Sequence, residues 1–130
     1  MIKVTTRVES GAFGPVAIAS VSGRLMSEDD AEALWASLLS QSEQEVPMLI
    51  VNLKGCEVLN SAALGVLIRA YSRCRNRNGR FALCEMRPSI SRLFEHLQMY
   101  RICEHYDTDE QALAAFDRQP EGQAPRHESR

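Results

Sequence analysis

A short run of uninterrupted apolar residues, Met48-Leu49-Ile50-Val51, most limits the folds open to this chain. A strand with this sequence presents apolar side chains to both faces of its sheet, so it requires a layer of helices on each side. Phe81-Ala82-Leu83-Cys84 is a second buried strand. Together the two runs predict an α/β architecture with a mainly parallel sheet.

The length and composition are those of one globular domain. The chain has 130 residues, enough to bury a single core. It is 45% hydrophobic and 25% charged, which argues against a disordered chain. No apolar stretch approaches the roughly 20 residues of a membrane helix, and no signal-peptide core follows Lys3. We therefore expect a cytoplasmic protein with no membrane insertion.

The spacing of apolar residues predicts about four helices. Ser27 caps the first and Pro88 begins the third. The second ends at Asn78-Gly79, with Gly79 at the position after a helix that favours glycine, and Thr108-Asp109-Glu110-Gln111 is a capping-box pattern that opens the fourth. The stripes expected to face the core are Ala31, Leu34, Trp35 and Leu38; Leu64, Leu67, Ile68 and Tyr71; Ile90, Leu93, Phe94 and Leu97; and Leu113 with Phe116.

Strands alternate with these helices after an initial pair of strands. Residues 2–8 and 16–21 flank turn residues at 11–15, which predicts an N-terminal antiparallel hairpin. We expect a loop around Gly55 and Cys56 and a last short strand over Ile102–Tyr106. The order predicts a single domain over residues 1–117. Residues 118–130 lose all periodicity and are expected to form a flexible polar tail.

The sequence shows no motif of common enzyme chemistry. Phosphate loops, dinucleotide-binding glycine motifs, nucleophile elbows and zinc-protease histidine pairs are absent. Cys56, Cys74, Cys84 and Cys103 lack C-x-x-C spacing and are interpreted as buried structural thiols. Cys103 and His105 form a C-x-H pair of a kind that is common without metal. We therefore expect no enzymatic activity, no cofactor and no metal site.

Five arginines and no acidic residue lie between Glu57 and Glu85. Arg69, Arg73 and Arg77 are spaced four residues apart and therefore share one face of the second helix. They form either a basic docking face for an acidic partner or phosphate groups, or a solvated surface with cations near the end of the helix. The net charge of −2 and the lack of interleaved aromatic residues predict no binding to nucleic acid.

Ser61 lies where a strand meets the second helix, directly before Ala62-Ala63-Leu64-Gly65. Its hydroxyl could cap the helix. It could also accept a phosphate, which the helix N-terminus would tolerate. Phosphorylation would add about −1.5 to −2 charges and repel a partner docked there. From spacing alone, both interpretations remain open.

The segment Leu49–Leu53, followed by Val58-Leu59-Asn60-Ser61-Ala62-Ala63-Leu64-Gly65, resembles the signature of STAS domains, the fold of bacterial anti-sigma factor antagonists. In that family a buried strand leads through an Asp-Ser-[Ser/Thr]-Gly-Leu-Gly motif into a helix. The likeness extends over about residues 2 to 117, through four further steps: Val21–Leu25, Asn78–Leu83, Leu97–Ile102 and Thr108–Phe116.

The resemblance implies a regulator that works by partner switching. In the family, the first Ser of the motif is phosphorylated by a kinase of the histidine-kinase-like ATPase fold that is also the anti-sigma factor. The unphosphorylated antagonist binds that kinase, and a phosphatase resets the phosphorylated form. Ser61 takes the place of the phosphoacceptor here, and it would form the docking patch together with Asn60, Ala62, Leu64 and Gly65.

Three positions depart from the family motif: Asn60 replaces Asp, Ala62 replaces Ser or Thr, and Ala63 replaces Gly. These departures motivate an alternative, a non-phosphorylated STAS interaction module constitutively docked in a signalling scaffold or a transport-associated complex. A third interpretation is a small ligand-binding or catalytic domain that uses the arginine face for an anionic molecule.

Overall fold

The computed structural model describes residues 2–118, which form five strands and four α-helices. The strands are β1 (Ile2–Gly11), β2 (Gly14–Leu25), β3 (Met48–Leu59), β4 (Arg80–Cys84) and β5 (Glu104–Tyr106). The helices are α1 (Glu28–Gln41), α2 (Ser61–Asn76), α3 (Pro88–His96) and α4 (Asp109–Phe116), with a short 3₁₀ turn at Met99–Arg101. Residues 119–130 of the expected tail lie outside the described residues.

The strands form one sheet in the order β1-β2-β3-β4-β5. β1 is antiparallel to β2, and every other pair is parallel. The predicted α/β fold with an N-terminal hairpin and four helices is therefore confirmed over the described part of the chain.

Both faces of β3 are buried over its first six residues, 48–53, as the apolar run predicts. Leu49 and Val51 belong to a large core with residues of α1, α2 and α3, whereas Ile50 points into a smaller core with Ala112 and Phe116 of α4. Three helices thus cover one face of the sheet and α4 covers the other.

The prediction of a loop around Gly55 and Cys56 is wrong, because β3 continues through both residues as far as Leu59. It pairs with β2 across two register shifts. A Cβ atom on Gly55 would lie 2.7 Å from the Cβ of Ser22, so glycine is required by the close approach of a neighbouring strand. The long strand delivers the chain directly to the start of α2.

Gly79 does not have the role that the sequence predicted for it at the end of α2. Asn78, with φ 62°, has the left-handed conformation that was assigned to the glycine. The N–H groups of Asn78 and Gly79 donate to the carbonyls of Arg75 and Cys74 at 3.0 and 2.8 Å, a Schellman arrangement. Gly79 is needed for a different reason: a Cβ atom at this position would collide with the carbonyl oxygen of Pro47.

Some predicted stripe residues are not in the core. Ile68 and Leu97 are 36% and 46% exposed. The buried face of α2 is shifted by one residue towards the N-terminus relative to the predicted stripe. Its buried residues are Ala63, Val66, Leu67, Ala70 and Cys74. The last strand begins at Glu104 and excludes Ile102, which is exposed.

All four cysteines are buried and free, as interpreted from the sequence. Burial raises the pKa of the Cys74, Cys84 and Cys103 thiols to about 12, and that of Cys56 to about 11. A thiol with such a pKa remains protonated at neutral pH.

Candidate functional site

Asn60 holds the start of α2 against the sheet. Its side-chain oxygen accepts a hydrogen bond from the N–H of Ala63 at 2.9 Å, so Asn60 is the N-cap residue. Its own N–H donates to the carbonyl oxygen of Leu25, at the end of β2, at 3.0 Å. The interpretation of Ser61 as the cap is therefore wrong by one residue.

Ser61 is the first residue of α2 and is exposed. Within residues 2–118 no side-chain hydrogen bond engages its hydroxyl. Because Asn60 supplies the cap, the Ser61 oxygen can react or bind without uncapping the helix.

A cleft of about 630 Å³ lies between the N-terminal halves of α1 and α2. Ser61, Ala62 and Gly65 line it from α2, so the structure brings three of the five predicted docking residues together here. Asn60 and Leu64 are not in its lining, and Leu64 is half-buried against the large core. The full lining is Glu28, Ala31, Glu32, Trp35, Ser61, Ala62, Gly65, Val66 and Arg69.

The sequence did not predict that residues of α1 line this cleft. Its exposed carboxylates, Glu28 and Glu32, lie in the first turns of α1, and Trp35 follows. Trp35 was assigned to the core stripe, but it is only half-buried and contacts Arg69. Spacing along one helix identifies a stripe, whereas contact between two helices depends on the whole fold.

Gly65 lines the cleft with backbone that carries no side chain. A Cβ atom built on it would meet no atom within 4 Å, so the absence of a side chain is not required by packing inside the chain. A partner surface could therefore approach the α2 backbone closely at this position.

α1 begins with a capping box that fixes its position beside the cleft. The Ser27 hydroxyl accepts from the N–H of Asp30 at 3.1 Å, and the Asp30 carboxylate accepts from the N–H of Ser27 at 3.2 Å. The hydrogen bonds from Met26 and Ser27 hold the pKa of Asp30 below its usual range. The predicted cap at Ser27 is confirmed.

Two of the arginines predicted as a docking face, Arg69 of α2 and Arg77 directly after it, contact α1 and the loop that follows α1. The Arg69 guanidinium lies 4.6 Å above the ring of Trp35, and Nη1 of Arg77 donates to the carbonyls of Glu43 and Gln44 at 3.3 and 3.0 Å. Arg73 is half-buried, and its Nε is buried without a partner among the described residues. Two of the three predicted docking arginines thus already have intramolecular contacts.

Arg80, another arginine of this segment, lies elsewhere. It is buried and makes a two-pronged ion pair with Glu104, at 2.8 and 2.9 Å. Its Nη1 also donates to the carbonyl oxygen of Ala115 at 2.9 Å. Arg80 therefore ties β4 to β5 and α4, on the opposite side of the sheet from the cleft.

In the part of the chain that the structure describes, no group of three or more His, Cys, Asp or Glu residues could hold a metal ion. No helix there is both long and apolar enough to span a bilayer.

Two curated relatives from bacteria are named as anti-sigma factor antagonists. A Paenibacillus polymyxa anti-sigma F factor antagonist is 26% identical over 69 residues, which are 53% of this chain and 59% of the relative. The Bordetella bronchiseptica protein BtrV, assigned as an anti-sigma factor antagonist, is 28% identical over 92 residues, 71% of this chain and 79% of the relative. The first match thus spans less than two thirds of its relative.

Solved structures share the fold at low sequence identity. An anti-sigma factor antagonist from Mycobacterium paratuberculosis superposes with a TM-score of 0.79 at 24% identity, covering 91% of this chain and 96% of the other. The Bacillus cell fate determinant SpoIIAA, solved in its phosphorylated form, has a TM-score of 0.65 at 15% identity, covering 87% and 98%.

The STAS domain family profile matches residues 13–112, from the β1–β2 turn into α4. This match covers most of the chain and contains the β3–α2 junction with its cleft. The protein therefore belongs to the STAS domain family.

Proposed function

We propose that the protein is a cytoplasmic anti-sigma factor antagonist that works by partner switching. In its unphosphorylated form it binds an anti-sigma factor that is also a serine kinase of the histidine-kinase-like ATPase fold. Phosphorylation of Ser61 releases it, and a phosphatase restores the binding form. It acts by binding and catalyses no reaction itself.

The observation that carries this proposal is the division of roles between Asn60 and Ser61. Asn60 alone caps α2, and the neighbouring hydroxyl is exposed. A phosphate can therefore be added to Ser61 without loss of the cap, and the unpaired N–H groups at the helix N-terminus favour its negative charge.

The surroundings of Ser61 support release of a partner after phosphorylation. Glu28 and Glu32 already line the same cleft. A phosphate of about −1.5 to −2 charges would make this surface strongly negative. A partner that packs closely on Ala62 and Gly65 would then face both repulsion and the cost of desolvating the phosphate.

The relatives support the same biological role. Two of them are named as anti-sigma factor antagonists, and SpoIIAA, which shares the fold, exists in a phosphorylated form. Residues 13–112, which match the family, include every element around Ser61.

Intact-mass measurement tests the phosphorylation step. The protein is incubated with its cognate anti-sigma kinase and ATP, and we expect a gain of one phosphate that is absent in Ser61→Ala. Ser72→Ala is the matched control, because Ser72 is an exposed serine on the same helix. No gain in the wild type, or a gain that persists in Ser61→Ala, would contradict the proposal.

Two observations favour the alternative of a constitutively docked module. Glu28 and Glu32 disfavour an added anion in the cleft, and Asn60 is neutral where the family has Asp. In that case Ser61→Glu would leave binding unchanged. The intramolecular contacts of Arg69 and Arg77 do not favour the other alternative, an anionic ligand on the arginine face.

A further inference from the structure

The two edges of the sheet are very different. β5 has three residues, whereas β1 has ten and pairs with β2 without a register shift from Ile2 to Gly11. Among the described residues no strand pairs with its outer side. Proteins usually protect such an edge with prolines, bulges, a short strand or charged side chains. β1 is long and has no proline and no bulge, and its charged residues are Lys3, Arg7 and Glu9.

The outer hydrogen-bonding groups of β1 can be assigned from its register. Ser10 lies opposite Pro15, which has no N–H, so this is a non-hydrogen-bonded pair. Opposed pairs alternate in an antiparallel ladder. The N–H and C=O groups of Ile2, Val4, Thr6 and Val8 therefore also point away from β2, in line with those of Ser10, and are available to another strand.

We propose that β1 binds β1 of a second copy of this chain in an antiparallel pair centred on Thr6, which joins the two five-stranded sheets. The sequence of β1 is self-complementary in this register. Lys3 faces Glu9 of the second copy, and Val4 faces Val8 of the second copy, each pair occurring twice. Val8 is 62% exposed in the single chain, so the pairing covers an apolar side chain that is otherwise in water.

Charge selects this register over its neighbours. Only the even-numbered residues of β1 point their N–H and C=O groups outward, so an even-numbered residue must always lie opposite an even-numbered residue of the second copy. The centre of the pair can therefore move only by whole residues, and the nearest alternatives are Thr5 and Arg7, the next residues along the strand. A centre at Thr5 places Lys3 opposite Arg7, and a centre at Arg7 places two arginines opposite each other. Both arrangements oppose like charges across the strands, which is unfavourable.

The pairing is independent of the proposed role of Ser61. Ser61 follows β3, which lies two strands further into the sheet than β1. Phosphorylation and dimerisation can therefore fail separately in experiments.

Sedimentation or light scattering over a range of concentrations tests the proposal. The expected mass rises from 14.6 kDa towards twice that value. Lys3→Glu alone and Glu9→Lys alone should each weaken association about tenfold, because two attractive pairs become repulsive. An equimolar mixture of these two variants should associate again, because opposite charges then meet at both ends of the pair.

A backbone variant separates strand pairing from general charge effects. Thr6→Pro removes an outward N–H at the centre of the pair and should abolish the dimer, whereas Thr6→Val keeps the N–H and should retain it. Circular dichroism checks that both variants are folded. A wild type that stays monomeric up to about 1 mM, or a dimer unaffected by Lys3→Glu and Thr6→Pro, would overturn the proposal.

Discussion

The side chain of Asn60 accepts a hydrogen bond from the backbone N–H of Ala63 at 2.9 Å. This contact makes Asn60 the cap of α2 and leaves the adjacent Ser61 hydroxyl exposed. The structural role of the cap thus belongs to Asn60, and the regulatory role that we propose belongs to the neighbouring Ser61. Variants at the two positions should affect different properties of the protein.

Replacing Asn60 should lower stability, whereas replacing Ser61 should not. Asn60→Ala removes the cap and should reduce the free energy of unfolding by about 0.5 to 2 kcal/mol. Ser61→Ala should change it by less than about 0.5 kcal/mol. Urea unfolding followed by circular dichroism measures both. Equal losses in the two variants would mean that Ser61 shares the capping role.

Two glycines should respond in opposite ways to the same substitution. Gly79→Ala forces a methyl group against the carbonyl of Pro47 and should cost about 1 to 3 kcal/mol or more. Gly65→Ala meets open space within a helix and should stabilise the fold by up to about 1 kcal/mol. Thermal unfolding compares them. If Gly79→Ala were neutral, the close approach of Pro47 to this position would be incorrect.

The four thiols should be unreactive in the folded protein. Their pKa values are raised to about 11 for Cys56 and about 12 for Cys74, Cys84 and Cys103. Ellman's reagent at pH 8 should therefore label them only after denaturation. Rapid labelling of any thiol in the native protein would contradict its burial.

The same shifts have a consequence for stability at high pH. Burial in the folded state raises the pKa of the Cys74 thiol above its ordinary value of 9.0, so the folded state favours the neutral form. This contribution is complete below pH 9 and is lost as the pH rises towards 12. Unfolding measured in urea between pH 8 and pH 11 should show decreasing stability, and replacing Cys74 with Ala should reduce the slope. A slope unchanged by that variant would show that Cys74 contributes nothing to it.

Much of the fold could be predicted because it depends on local pattern. Leu49 and Ile50 enter opposite cores because adjacent residues in a strand point to opposite faces, whatever the rest of the chain does. The cap at Ser27 was also visible, because a serine directly before a helical pattern is a local signal.

The errors have a physical cause in distant contacts. Gly55 resembled a loop residue, but Ser22 of the neighbouring strand is what requires a glycine there. Asn60 and Ser61 are adjacent and both suit an N-cap, so only the three-dimensional helix start distinguishes them. The cleft could not be seen in the sequence because its two walls are about thirty residues apart, with Glu28 on one helix and Ser61 on the other.

The most direct test of the central claim is titration of the cognate anti-sigma kinase with the wild type, Ser61→Ala and Ser61→Glu by calorimetry. Ser61→Ala should bind about as tightly as the wild type, and Ser61→Glu should bind at least about tenfold more weakly, because it places a charge in the docked surface. Ser72→Glu, on the same helix, should bind normally. Equal affinity of the wild type and Ser61→Glu would contradict the account.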